Sequence, residues 1–153
     1  MALTTIRHAM LPSGSVLQAV TNTYSTSTSI TSTTKGSGTS TGLSVTITPA
    51  STSNKLLLIG TLALASGYSA DPNFSVEIYD GSSIVYTDES AGYYFNGDGN
   101  EAYSTKVPIH AYINAPSTSA TTYTVRAFKS SSTSLTAQSS SNPSNLTILE
   151  IVG

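Results

Sequence analysis

The sequence of 153 residues has no cysteine and no tryptophan, and only 9% of its residues are charged. Without cysteine there are no disulfide bonds, no thiol catalysis and no cysteine-bound zinc. Six basic and eight acidic residues leave a net charge of −2, so the chain lacks the basic surface that holds a nucleic-acid backbone. Two histidines are too few for a His-rich metal site within one chain. We therefore expect no cofactor and no nucleic-acid partner.

Long hydrophobic runs are also missing. The longest, Leu56 to Ala65, is interrupted by Gly60 and Thr61 and is well short of the ~18 apolar residues of a membrane span. Residues 1–12 lack the long apolar core and the small-residue cleavage site of a signal peptide. The sequence thus predicts neither a membrane partner nor a cleaved leader.

Serine and threonine take the place of charge. The chain has 28 Ser and 24 Thr, about a third of all positions. Threonine is β-branched and suits the pleated surface of a sheet. Because the net charge is small and the apolar residues are clustered, the composition favours a folded all-β protein over a disordered one.

Alternating apolar and polar residues mark a series of short strands. The pattern places them at residues 15–23, 43–48, 55–65, 74–79, 84–86, 103–113, 121–128, around 135, and 146–152. Asp80-Gly81 is a turn signal that joins two of these strands in a hairpin. With regular turn signals and no convincing helix, the fold class predicted is an all-β jelly roll or β-sandwich of about eight strands.

Three segments of this pattern carry more specific expectations. The near-continuous apolar character of Lys55 to Ala65 predicts a strand buried on both faces. In residues 103–113, Val107 and Ile109 are the first residues of the apolar side of a strand. Pro108 in the same segment predicts an edge strand or a bulge, because proline cannot donate a ladder hydrogen bond. Residues 24–42 are of low complexity, with Ile30 as the one apolar anchor, and predict a flexible loop or an extended edge segment.

Residues 1–14 differ in composition from the rest and hold both methionines, one of the two histidines and one of the two arginines. Apolar residues fall near a helical spacing, but Pro12 and Gly14 end it. We expect an N-terminal arm that becomes ordered against a neighbouring subunit or a larger assembly, with residues 15–153 as the β domain. A frayed terminus is the alternative. The side chains expected to make this attachment are Leu3, Ile6, Arg7, Met10 and Leu11.

The residues that could support catalysis are few. Residues 38–42 match G-x-S-x-G, but a nucleophile elbow needs a strand before it and a helix after it, and this match runs into a strand. His110 lies inside a strand pattern, which favours a structural role. Seven of the eight acids lie between residues 71 and 101, mostly on predicted turns where they would be solvated. We expect no enzyme activity.

The middle of the chain offers two binding alternatives. Asn96, Asp98 and Asn100 have the spacing of the first half of a calcium loop, but the glycine at its sixth position and the acid at its twelfth are missing. A polar turn explains them equally well, so no metal is expected. Nine tyrosines suggest either edge and subunit-interface packing or a sugar-binding patch. The residues of that alternative patch are Tyr79, Tyr93, Tyr94, Asp98 and Tyr103.

Several segments resemble a virion domain of tailed phages, familiar from cyanophages and other marine phages. They are LPSGSVLQAV (residues 11–20), TGLSVTITPASTSNKLLLIG (41–60), TTYTVRAF (121–128) and NLTILEIVG (145–153). The resemblance covers about 140 residues. Its most specific parts are the GSVLQ run and the run from ITP to KLLL, whereas the middle of the chain is not diagnostic.

The resemblance implies a homotrimeric jelly roll like those of fibre tips and of tumour-necrosis-factor or complement-head domains. It implies no catalytic residues. The family looks to be used in tail fibres and on capsids, and a tail fibre needs an attachment region and shaft that this sequence lacks. We therefore expect a capsid decoration, or cement, protein that binds the major capsid protein on the outer surface of the virion. The alternative is a tail-fibre or receptor-binding head that recognises host polysaccharide.

Overall fold

The computed structural model describes residues 11–66, 74–88, 103–129 and 134–153. In these ranges the chain forms ten β-strands and no helix, and hence none that is long and apolar enough to cross a membrane. The strands are β1 (Val16–Tyr24), β2 (Thr28–Ile30), β3 (Thr39–Ile47), β4 (Lys55–Ser66), β5 (Phe74–Tyr79), β6 (Ile84–Asp88), β7 (Tyr103–Asn114), β8 (Thr121–Lys129), β9 (Leu135–Ala137) and β10 (Ser144–Ile151).

The eight longer strands form four antiparallel pairs, β1 with β10, β3 with β8, β4 with β7, and β5 with β6. Each pair joins strands that lie closer in sequence than the pair before it, as in one long hairpin rolled into two layers. The order is β1-β10-β4-β7 in one sheet and β3-β8-β5-β6 in the other. This is the strand order of a jelly roll, so the predicted fold class is confirmed.

The two short strands lengthen the first sheet. β2 pairs with β9, and β9 pairs with the end of β4 beyond the reach of β10. The chain bends between β9 and β10 at Gln138, whose φ is 53°. There the Gln138 amide donates to the Ala63 carbonyl at 3.0 Å, and the Ala63 amide donates to Ser144 Oγ at 2.8 Å. These bonds pair the backbone N–H and C=O groups of β4 at the point where the neighbouring strand is interrupted.

The core lies between the sheets and follows the predicted alternation. The buried sides of β3, β5, β7 and β8 hold Leu43, Val45, Ile47, Phe74, Val76, Ile78, Val107, Ile109, Ala111, Tyr123, Val125 and Ala127. Ile30, the expected anchor of residues 24–42, is also buried. Eight residues of that segment lie in strands, because the end of β1, all of β2 and the start of β3 fall within it.

The prediction that β4 is buried on both faces is wrong. Leu56 and Leu58 are fully buried in the core, whereas Leu57 is half-buried and Ile59 is 39% exposed. β4 is central within its sheet, between β7 on one side and β10 and β9 on the other. The sandwich covers only the inner face of this sheet, so the outward apolar residues of β4 remain accessible.

Pro108 lies in β7, which pairs with β4 along its length and with no other strand in the described part of the chain. The edge position predicted for this strand is therefore confirmed. An edge strand tolerates proline because one side of its backbone has no ladder hydrogen bonds to lose.

The sandwich is closed along one side by amide side chains of β1. Gln18 Nε2 donates to the Thr48 carbonyl at 2.9 Å, and Asn22 Nδ2 donates to the Ser44 carbonyl at 2.9 Å. These two carbonyls lie along β3 and just beyond its end. The bonds tie an edge strand of one sheet to an edge strand of the other.

A bulge in β3 makes room for a tyrosine ring. The register with β8 shifts between Ser40 and Ser44, and Gly42 within the bulge has a φ of 84°. A Cβ on Gly42 would lie 2.4 Å from the Tyr24 ring. Glycine is required here both for the positive φ and for the close approach of the ring.

Glu77 departs from the expectation that the central acids are solvated. It lies in β5 on the outer side of its sheet and is fully buried. The Gly36 amide donates to Oε1 at 2.5 Å and the Gly38 amide donates to Oε2 at 3.2 Å. The connection between β2 and β3 therefore folds over β5 and is held there by a carboxylate.

Candidate interaction surface

The outer face of the larger sheet carries a row of apolar residues across four strands. Ala19 pairs with Leu149, Leu149 with Leu57, and Leu57 with Tyr112. Residues directly opposite one another in antiparallel strands point to the same side of the sheet. Since Leu56 and Leu58 point into the core, this row points away from it.

The next row consists of Thr21, Thr147, Ile59 and His110. Thr21 Oγ1 and Thr147 Oγ1 lie 2.9 Å apart, which requires both side chains on the same side. His110 is exposed here, and its ring lies 6.3 Å from the Tyr86 ring of β6. His110 thus belongs to a surface, and within the described ranges it joins no cluster of acids.

A third row consists of Val16, Ile151, Lys55 and Asn114. A bulge between Val16 and Gln18 turns Val16 to the same side as Ala19. Lys55 Nζ donates a hydrogen bond to Asn114 Oδ1, so the ammonium group lies along the sheet at the end of this face.

These three rows form what we call the apolar face. Three large hydrophobic residues of the described chain are substantially exposed, Val16 at 54%, Ile59 at 39% and Tyr112 at 61%, and all three lie on it. Among the described residues, its charged groups are Lys55 at one end and Lys106 beyond the other, with no carboxylate. A partly aromatic sheet surface with few charges is typical of protein interfaces.

The outer side of the smaller sheet is different, and we call it the hydroxyl face. Thr46 Oγ1 and Thr122 Oγ1 lie 2.7 Å apart on it. The Arg126 guanidinium carbon lies 3.6 Å from the centre of the Tyr79 ring, and Tyr79 Oη donates to the Gly81 carbonyl at 2.8 Å. In the part of the chain that the structure describes, this side carries a cation and many hydroxyl groups and has no apolar rows like those of the other sheet.

Glu150 is the second fully buried acid and points into the sandwich from β10. Its carboxylate accepts from Gln18 Nε2 at 2.6 Å, Asn54 Nδ2 at 2.6 Å and the Ala50 amide at 2.7 Å. Burial raises the pKa of this carboxyl, but these bonds and one from the Ser51 amide outweigh it, so the pKa lies below its usual value of 4.5. The group is a structural clamp between β10, β1 and the turn before β4.

The predicted site residues fall mostly outside the described residues. Leu3, Ile6, Arg7 and Met10 of the arm do so, and so do Tyr93, Tyr94 and Asp98 of the alternative sugar patch and the calcium candidates Asn96 and Asn100. Leu11 is half-buried and lies before Gly14, whose amide donates to the Val152 carbonyl at 2.9 Å. Tyr79 and the backbone of Tyr103 belong to different sheets. The arm and the patch both remain predictions.

No catalytic arrangement is found in the described residues. Ser40 of the G-x-S-x-G match lies within β3, with no helix after it. No group of three or more His, Asp or Glu side chains in these ranges could hold a metal ion. A cavity of about 230 Å³ beside the end of β4 is lined by neutral residues, including Ser104, Gln138 and Asn142. It therefore offers no acid or base for chemistry.

The residues of the apolar face were not singled out from the sequence. Leu57 and Ile59 were part of a run interpreted as buried on both sides, and Leu149 and Ile151 as part of a core strand. A signal was available in the sequence. The core of one sandwich needs only every second side chain of these strands, so the remaining apolar side chains indicate a second apolar surface.

The fold is similar to that of a solved virus structure. A structure of infectious bursal disease virus, Gt strain, matches with a TM-score of 0.50 and 15% sequence identity, over 91% of this chain and 39% of that one. The chain thus spans about two fifths of the length of that protein. The VP2 subviral particle of the same virus matches with a TM-score of 0.45 and 15% identity, over 91% of this chain and 38% of the other.

No protein-family profile matches the sequence, and no curated protein matches it. The likeness at 15% identity supports the fold alone. The jelly roll implied by the sequence resemblance is therefore present, whereas membership of the tailed-phage family is not shown by these comparisons.

Proposed function

We propose that this protein is a structural component of a phage virion, a decoration protein that binds the outer surface of the major capsid protein shell and stabilises it. The observation that carries the proposal is the jelly roll with two unlike outer faces, one apolar and one covered with hydroxyl groups. The sequence resemblance to tailed-phage virion domains and the likeness of the fold to a virus structure both support it.

The proposed decoration protein is a homotrimer. Three arms, residues 1–14 of each chain, would contact the shell from one body. Linked contacts raise the effective concentration of the second and third arm once the first has bound, so each needs only modest affinity. Binding that spans neighbouring capsomers would then stiffen the shell.

The proposal is tested by particles that lack the protein. We expect such virions to lose DNA at a lower temperature than wild type while adsorbing normally to cells. We also expect many copies per virion in quantitative mass spectrometry, as a shell protein requires. Few copies, normal heat resistance and failure to adsorb would instead support a tail-fibre or receptor-binding head, the alternative function.

A further inference from the structure

We infer that the apolar face is the surface through which copies of this chain associate, with Ile59, Tyr112 and Leu149 at its centre. The inference rests on the proposed function, in which the protein is a homotrimer, and adds the surface that builds it. The occupant of the face is a second copy of the chain, as opposed to the shell to which the assembly binds.

The extent of the face can be compared with that of known interfaces. Four strands about 4.8 Å apart, crossed by three rows about 6.7 Å apart, give a surface of roughly 19 Å by 20 Å, on the order of 380 Å² before the relief of the side chains is counted. A specific interface uses about 800 Å² of accessible surface per partner. The face therefore supplies about half of that area, and it lies in the range of roughly 300–600 Å² of the largest apolar patch on a monomer, a patch that often marks a functional site.

Its chemistry favours a copy of the same chain. The middle rows contain aliphatic, threonine, tyrosine and histidine side chains, while Lys55 lies at one end and Lys106 beyond the other. A basic partner would find no carboxylate on the described part of this face, and an acidic partner would find only the two lysines at its ends. Apolar rows packed on apolar rows leave both lysines near solvent, and permanent interfaces between identical chains are the most apolar class.

The order in which partners become available gives a second reason to assign the face to copies of the same chain. An apolar sheet surface left uncovered promotes aggregation until its partner arrives. Copies of the same chain are present from synthesis onwards, whereas an assembled shell is not. A threefold closed arrangement, in which one part of the face contacts a different part on the next chain, covers the face without open-ended growth.

The test compares two identical substitutions on the two outer faces. Thr21→Lys places a charge on the apolar face, and Thr46→Lys places one on the hydroxyl face. Both threonines are exposed, both lie in edge strands, and each shares a hydroxyl contact with a threonine of the neighbouring strand. The pair therefore separates the effect of the face from the effect of the substitution.

In analytical ultracentrifugation, the wild type should have about three times the chain mass of 15.8 kDa. Thr21→Lys should raise the dissociation constant at least about thirtyfold, and Thr46→Lys should leave it unchanged. A second variant, Ile59→Thr with Tyr112→Thr, keeps residues that favour strands and should raise it about a hundredfold. Circular dichroism establishes that each variant is folded. If Thr21→Lys is not folded, the double variant decides.

A monomeric wild type at micromolar concentration would overturn the inference, as would folded variants that all associate like the wild type. A dimer dissociated by the same variants would support the face and contradict the threefold arrangement. If the trimer forms but never joins a virion, the proposed function fails while the assignment of the face stands.

Discussion

Gln18 and Glu150 lie opposite each other on β1 and β10, and Gln18 Nε2 donates to Glu150 Oε2 at 2.6 Å. The same Nε2 donates to the Thr48 carbonyl beside the other sheet. One side-chain amide thus links a buried carboxylate to both layers of the sandwich. The contact is charge-assisted, so its contribution depends on the carboxylate remaining ionised.

We predict that acid destabilises the protein through Glu150. Its pKa is lower in the folded state than the usual 4.5, so the folded form holds the proton less tightly than the unfolded form. The stabilisation is complete above the unfolded pKa and is lost as the pH falls through the folded pKa. Urea denaturation between pH 7 and pH 3 should show this loss.

The variant Glu150→Gln provides the control for that experiment. Its amide would place N–H groups against other donors, and we expect it to lower the free energy of unfolding by about 3 kcal/mol at pH 7. The difference between wild type and variant should shrink as the pH falls. A difference that stays constant with pH would show that the carboxylate charge is unimportant.

Gly42→Ala should destabilise the fold more than Gly81→Ala. Both glycines have positive φ, at 84° and 97°, so both substitutions incur a similar backbone penalty of about 1–2 kcal/mol. The new Cβ at position 42 would also lie 2.4 Å from the Tyr24 ring, whereas nothing lies within 4 Å at position 81. Thermal unfolding of the two variants measures the added cost of displacing Tyr24. Equal effects would show that the ring moves aside freely.

Glu77→Gln should loosen the connection between β2 and β3. Glutamine keeps the size of the side chain but lacks the negative charge of the carboxylate that accepts hydrogen bonds from the Gly36 and Gly38 backbone N–H groups. We expect a loss of about 1–2 kcal/mol and faster hydrogen exchange at residues 36–38. Exchange at Ser82 and Ser83, which donate to Asp80 in a separate turn, should not change. Uniformly faster exchange would indicate a global effect instead.

Deleting residues 1–11 should leave a folded β domain that no longer joins virions. Gly14 and Ser15, which bond to Val152, remain in this truncated chain. The triple variant Leu3→Ser, Ile6→Ser, Met10→Ser should act in the same direction, because it removes apolar contacts and keeps the length. Normal occupancy of either protein on virions would place the attachment elsewhere.

Removing divalent ions should leave the melting temperature unchanged. A bound ion at a hundredfold excess over its dissociation constant would stabilise the fold by about 2.7 kcal/mol. A clear drop with chelator that is restored by calcium and abolished by Asp98→Ala would show that residues 96–100 bind an ion.

Period-two patterns predicted the core correctly because alternation depends only on neighbouring residues. The inward side of β7 is an example, and the edge position of that strand followed separately from the missing N–H of Pro108. The partners of Glu150 were not predictable, since Gln18 and Asn54 lie 132 and 96 positions away. Nor does the sequence indicate that Ile59 faces outward into an uncovered surface, because the same apolar run fits a strand packed on both sides.

The amides of Gln18 and Asn22 on the carbonyls of Thr48 and Ser44 determine how this edge of the sandwich responds to salt. Charged side chains are one common means of keeping edge strands from joining, and their repulsion weakens as salt is added. Here neutral amides already occupy acceptors that an incoming strand would need. Protection of this edge therefore depends on hydrogen bonds from neutral groups. It should persist at ionic strengths high enough to screen the repulsion between charged side chains.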